Sequence, residues 1–303
     1  MENLVNLIFS TEFGYSIFRV TTPILFASMA VLISDKAGVV NIGVEGIMLM
    51  SALTGVIGSA FTNSLWIGLL SAILGGVLMS MFLAYFSLYL KADIILTGFV
   101  LNLMSSGVTV FILYLLTHQK GISSSLKSGV FPTIDIPFIK NIPIIGEILS
   151  GQNILTYLAF LSVLVIYIFL YKTPLGLRIR VVGENIDAAK SVGINVRRTQ
   201  FLSLVLSGIL GAFGGAYMSM GYVSWFSRDM TGGRGFIALA AEAMGGSMPL
   251  GTMLASLLFG FAESLSNSLQ SLRIPGEFIQ MIPYIATILG LVLYSSNRAK
   301  IKK

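Results

Sequence analysis

The chain has 303 residues, 55% of them hydrophobic and 11% charged, with a mean hydropathy of +0.88. That is far below the roughly 25% charge that a water-soluble domain uses to cover its surface, so lipid is the expected solvent. With no cysteine and a single histidine, His118, the sequence excludes disulfides, thiolate or histidine metal clusters and thiol catalysis. The excess of 19 Lys and Arg over 13 Asp and Glu reads as an orientation signal in a membrane protein and gives no reason to invoke nucleic acid.

Apolar runs of about 20 residues span a bilayer. They occur at 15–33, 40–60, 65–90, 94–117, 152–171, 200–222, 250–270 and 277–295. A weaker run, 235–246 (GFIALAAEAMGG), carries Glu242 and either crosses as a short helix or re-enters as a half-helix. The expected fold is an all-α polytopic membrane protein of about 8–9 transmembrane helices in one domain over 1–303.

The basic residues set the orientation. Lys172, Arg178, Arg180, Lys190, Arg197 and Arg198 crowd the segment 172–200, and Arg298, Lys300, Lys302 and Lys303 crowd the tail, so both are expected in the cytoplasm. Four crossings lie between them if the weak run crosses. Counting back places Asp35-Lys36 and Lys91-Ala-Asp93 inside, and the loop 118–151 and the N-terminus outside. No Lys or Arg precedes the first apolar run, which argues against the basic start of a cleaved signal peptide. Segments 29–46 and 236–251 each bring an apolar run to the inner side, break on small residues and rise again. They are either an internal repeat or two similar Gly-rich turns.

In KTPLGLRIRVVGENIDAAKSVGINVRRTQF, Pro174 ends one helix, Asn185 is placed to cap a short second one, Asp187 suits its first turn and Gly193 suits its C′ position. About seven residues do not hold a helix alone in water. The segment is therefore either a solvated basic loop or a packed docking helix.

Glu45, Glu242 and Glu263 lie within apolar runs, where a charge costs at least about 2.5 kcal/mol and must face a bundle interior, a partner or water. Asn41 and Glu45 are spaced to share a helical face, as are Asn102 and Ser106; Asn267 follows Glu263 by four. These side chains either line a polar path or bond between helices. Arg234, in TGGRGF, either pairs with Asp229 at the outer face or lines a pathway entrance; its glycines form no phosphate loop. Gly208, Gly211 and Gly215 form a close-packing stripe, against another helix of the chain or a second subunit.

The runs GLRIRVVGENIDAAKSVGINV and LVLSGILGAFGGAYMS resemble the cytoplasmic coupling loop and following helix of bacterial ABC importer permeases of the ribose and branched-chain amino acid branch. SDKAGVVNIGVEGIMLMSA, LKADIILTGFVLNLM and MTGGRGFIALAAEAMGGSMPLG are most similar to the nucleoside permeases associated with basic membrane proteins, and the resemblance covers most of 20–295. The loop 118–150 and the acidic Glu242 depart from the pattern.

The resemblance implies that Gly183, Glu184, Asn185, Ala188, Ala189 and Gly193 engage an ATP-binding subunit, small Ala188 and Ala189 allowing close approach. It implies Asn41, Glu45, Asn102, Arg234 and Glu242 as pathway candidates. It also implies a second, paralogous permease, an extracytoplasmic substrate-binding lipoprotein and a bacterial cytoplasmic membrane. The outer loop then either contacts that lipoprotein or lies on the outer leaflet.

ATP and Mg²⁺ belong to the partner, since the chain has no Walker A motif and no bound cofactor is expected. The leading expectation is half of the pathway of an ATP-driven nucleoside importer. The alternatives are a permease for ribose-like sugars or branched-chain amino acids, and an ion-coupled secondary transporter. An intramembrane hydrolase lacks its nucleophile and base, so no enzyme is expected.

Overall fold

The computed structural model describes residues 10–126, 128–137, 142–270, 285 and 290. The apolar run 277–295, apart from positions 285 and 290, and the basic tail lie outside the described residues.

Helix α1 (Thr11–Asp35) is followed by α2 (Val44–Thr62), α3 (Leu65–Ala84, continued by a π-helical turn to Tyr89) and α4 (Ile94–Thr117). After a short ribbon, β1 (Thr133–Ile134) against β2 (Gln152–Asn153), with α5 (Ile145–Leu149) between them, comes α6 (Ile154–Lys172). Then follow α7 (Pro174–Glu184), α8 (Ile186–Ser191), α9 (Val196–Ala216, continued by a π-helical turn to Tyr222), α10 (Arg234–Met244) and α11 (Pro249–Leu269). Six of the described helices are long and apolar enough to cross a membrane: α1, α2, α3, α4, α6 and α9.

The helix starts are fixed by side-chain caps. Ser10, Asp93, Asn153, Thr173, Asn185 and Asn195 each accept a backbone N–H of the following first turn, satisfying donors that lipid cannot. Small residues then set how close the helices come. A Cβ on Gly208 would stand 2.8 Å from the Gly76 carbonyl, and one on Gly215 only 2.1 Å from the Met48 carbonyl. The stripe Gly208, Gly211 and Gly215 thus packs α9 onto α3 and α2 of the same chain.

One end of the bundle gathers the segments rich in Lys and Arg. Ser247 Oγ donates to Asp35 Oδ2 at 2.9 Å, Gln200 Nε2 to the Ala37 carbonyl at 3.2 Å, and the Arg197 guanidinium lies 5.1 Å from the Tyr89 ring centre. At the other end the segment 121–131 pairs with 220–228. The Ser123 N–H donates to the Phe226 carbonyl, the Arg228 N–H to the Gly121 carbonyl and the Phe131 N–H to the Met220 carbonyl. The described part of the loop 118–151 therefore folds back onto α9 and its continuation. Backbone groups in a partly apolar setting thus find protein partners.

The weak run 235–246 is a half-length helix that continues one way through the bundle, as the short-crossing reading expects, and does not turn back as a re-entrant segment would. The chain leaves α9 at one end, descends without regular structure through 223–233, and completes the passage as the 11-residue α10, which ends beside Asp35. Helix α2 likewise starts inside the bundle, where Val44 packs with Ala27, Ala30, Val31 and Ala238. The reason is the turn 36–43: Gly38 takes a φ of +72° there, and the Asn41 N–H donates to Ser34 Oγ at 3.0 Å, so the chain climbs before it coils.

Candidate functional site

The starts of α2 and α10 meet within the apolar bundle. Helix N-termini carry partial positive charge and unpaired N–H groups. Glu45, in the first turn of α2, answers both: its Oε1 accepts the Gly233 N–H at 2.8 Å and its Oε2 the Gly235 N–H at 2.6 Å. Gly235 must be glycine here, because a Cβ would lie 2.6 Å from the Glu45 backbone. Asn102 of α4 braces the same junction, with Oδ1 accepting the Gly46 N–H at 2.8 Å and Nδ2 donating to the Ile42 carbonyl at 3.0 Å.

Asn41 is buried and donates to Ser207 Oγ of α9 at 2.9 Å. It does not share a helical face with Glu45, as its spacing suggested, because the helix begins only at Val44. Arg234 forms a largely buried ion pair with Glu263 of α11. This corrects the expected pairing with Asp229, which instead accepts from Arg228 Nε at 3.2 Å and from Ser106 Oγ at 2.7 Å. Glu242 is buried toward the Asp35 end of α10.

Sequence reasoning passed over Phe99 and Phe236. Their rings stack across α4 and α10 with centroids 6.2 Å apart. Nothing in the sequence separates them from the other 18 phenylalanines.

At the Lys/Arg-rich end, Thr173 Oγ1 caps α7 and Asn185 Oδ1 caps α8, accepting the Asp187 and Ala188 N–H groups at 3.0 and 2.9 Å. Gly193 follows the helix with a φ of +79°, a conformation glycine adopts without strain. Gly183 approaches the Lys36–Gly38 turn so closely that a Cβ would lie 2.3 Å from the Lys36 carbonyl. Glu184, Asn185 and Ala188 are exposed, whereas Ala189 is fully buried. Of the two alanines assigned to close approach of a partner, only Ala188 is available; Ala189 packs inward because α8 rests on α7 and α9.

Six apolar spans enclosing two helix starts, a half-buried carboxylate cap and a largely buried ion pair define a multi-pass membrane protein of the transporter class. The family described as "Branched-chain amino acid transport system / permease component" matches residues 15–293, and the chain belongs to it. It is a transport component and not an enzyme.

Two curated relatives are similar over nearly their whole length. The nucleoside ABC transporter permease protein NupC of Lactococcus lactis is 38% identical over 90% of this chain and 89% of its own. The guanosine ABC transporter permease protein NupQ of Bacillus subtilis is 36% identical over 89% and 87%. A putative glucose ABC transporter permease, TsgC13 of Haloferax volcanii, is 32% identical over 84% of this chain and 77% of its own. Among solved structures, PsaBC from Streptococcus pneumoniae in complex with Fab shares the fold, with a TM-score of 0.55 at 13% identity, covering 95% of this chain and 94% of that one.

Proposed function

We propose that this chain is a membrane subunit of an ATP-driven nucleoside importer in a bacterial cytoplasmic membrane. The observation that carries the reading is the end-to-end similarity to a nucleoside permease, 38% over 90% of this chain. The substrate class follows from that relative and from the guanosine permease, both closer in sequence than the glucose one.

In this reading the Lys/Arg-rich end is cytoplasmic and the N-terminus and loop 118–151 are extracytoplasmic. The full complement is eight or nine membrane segments, with α10 as the half-length helix. The exposed faces of Glu184, Asn185 and Ala188 meet an ATP-binding subunit. A second permease completes the pathway, and a substrate-binding lipoprotein delivers nucleoside to the opposite end. Closure of the ATPase moves α7 and α8 as a body, and the Gly183 contact with the 36–38 turn passes that motion to α1 and α2.

Uptake of radiolabelled uridine, adenosine, ribose and leucine by cells expressing the complete system tests the substrate class. Nucleoside uptake is expected. Uptake of ribose or leucine alone refutes the proposal.

A further inference from the structure

An exposed carboxylate reaches the half-way point of an apolar helix, next to the residue, Arg228, at which the chain leaves its pairing with the loop. Ser106 stands midway along α4, about 17 Å from either end at 1.5 Å per residue. Its hydroxyl donates to Asp229 Oδ1 at 2.7 Å, and the Asp229 side chain is 53% exposed beside Arg228 at 63%. Lipid does not accept a carboxylate at that depth, since a charge costs several kcal/mol there. The surface that carries it must therefore face water or polar ligand inside an assembled transporter.

The same surface carries the Phe99 and Phe236 rings, stacked on each other yet still 49% and 40% exposed. Phe99 and Ser106 are seven residues apart on α4, hence on one face and about 10 Å apart along its axis. Asp229 takes a left-handed backbone, at a φ of +51°, and its carboxylate is held by the Ser106 hydroxyl and Arg228 Nε. Asn102, on the same stripe, is occupied with Gly46 and Ile42. The free recognition chemistry is thus an aromatic shelf at one end and a carboxylate with unused lone pairs at the other.

We infer that Phe99, Phe236, Ser106 and Asp229 form a nucleoside subsite on the pathway wall. The base lies against the exposed aromatic pair, as bases do on aromatic side chains. The ribose hydroxyls donate to Asp229, whose orientation Ser106 and Arg228 hold. This rests on the nucleoside reading and adds the contacts within it. Glu45 and Asn102, in contrast, serve the junction behind this wall.

Two measurements on the assembled complex test it. In a chain with no native cysteine, Ser106→Cys and Phe236→Cys should react with a membrane-impermeant methanethiosulfonate, and uridine should slow that reaction at least fivefold. Leu164→Cys on the exposed apolar face of α6 should not react. Asp229→Asn should raise the KM for uridine at least tenfold and abolish the preference for uridine over 2′,3′-dideoxyuridine, which a merely structural role would leave intact. If the wild-type complex carries uridine but the cysteines are unreactive or unprotected, or Asp229→Asn keeps the preference, the subsite is wrong. If the wild type carries no nucleoside, the functional reading falls first and takes the subsite with it.

Discussion

The carboxylate of Glu45 accepts the backbone N–H of Gly235 at 2.6 Å, so the first turn of α2 caps the first turn of α10. With the Gly233 N–H on the other oxygen, two charge-assisted hydrogen bonds close the junction. Each such bond contributes about 1.5–3 kcal/mol. Glu45→Ala should therefore cost about 3 kcal/mol or more and lower the thermal midpoint of the purified complex. Glu45→Gln, which still accepts on one atom, should cost about half as much. Equal midpoints for wild type and Glu45→Ala would refute the capping role.

The ion pair of Arg234 and Glu263 calls for a double-mutant cycle. Removing one partner strands a largely buried charge, at about 3–5 kcal/mol, while replacing both with apolar residues removes the stranded charge as well. Arg234→Met and Glu263→Leu should each be more destabilising than the double replacement. Additive losses would show that the two side chains do not interact.

Ala188 and Ala189 should separate docking from folding. Ala188 is exposed on α8, so Ala188→Trp should leave the thermal midpoint unchanged while abolishing ATP-driven uptake. Ala189 is fully buried, so Ala189→Trp should prevent the cytoplasmic end from packing and reduce the yield of folded protein. Full uptake by Ala188→Trp would place the motor elsewhere.

Gly215 has no space for a methyl group, since its Cβ would meet the Met48 carbonyl at 2.1 Å. Gly107, on the open face of α4, has no neighbour within 4 Å of such an atom. Gly215→Ala should thus sharply lower the yield of folded protein, whereas Gly107→Ala should be neutral or slightly stabilising. Detergent-solubilised yield and thermal midpoint report both.

Six of the eight expected spans were legible because hydropathy over about 20 residues is set by the bilayer and needs no tertiary information; the run 250–270 forms α11, which is not among the six. The short helix at 186–191 was legible for a similar reason: Asn185, Asp187 and Gly193 act on their own neighbours. Partners brought by remote segments were not. Arg234 has Asp229 five residues away, but the turn through Gly232 and Gly233 points it at Glu263 on α11 instead. Asn41 and Glu45 have helical spacing, yet Asn41 bonds to Ser207 because the turn 36–43 delays the helix. Phe99 and Phe236 are ordinary phenylalanines until the half-length helix places one over the other.

The central claim, that this chain moves nucleosides at the expense of a partner's ATP, is tested most directly in proteoliposomes holding the complete complex with binding lipoprotein outside. Radiolabelled uridine should accumulate only when ATP and Mg²⁺ are present on the ATPase side, and an uncoupler should not affect it. Accumulation driven by an ion gradient without ATP, or accumulation of leucine or ribose in place of uridine, would contradict the account.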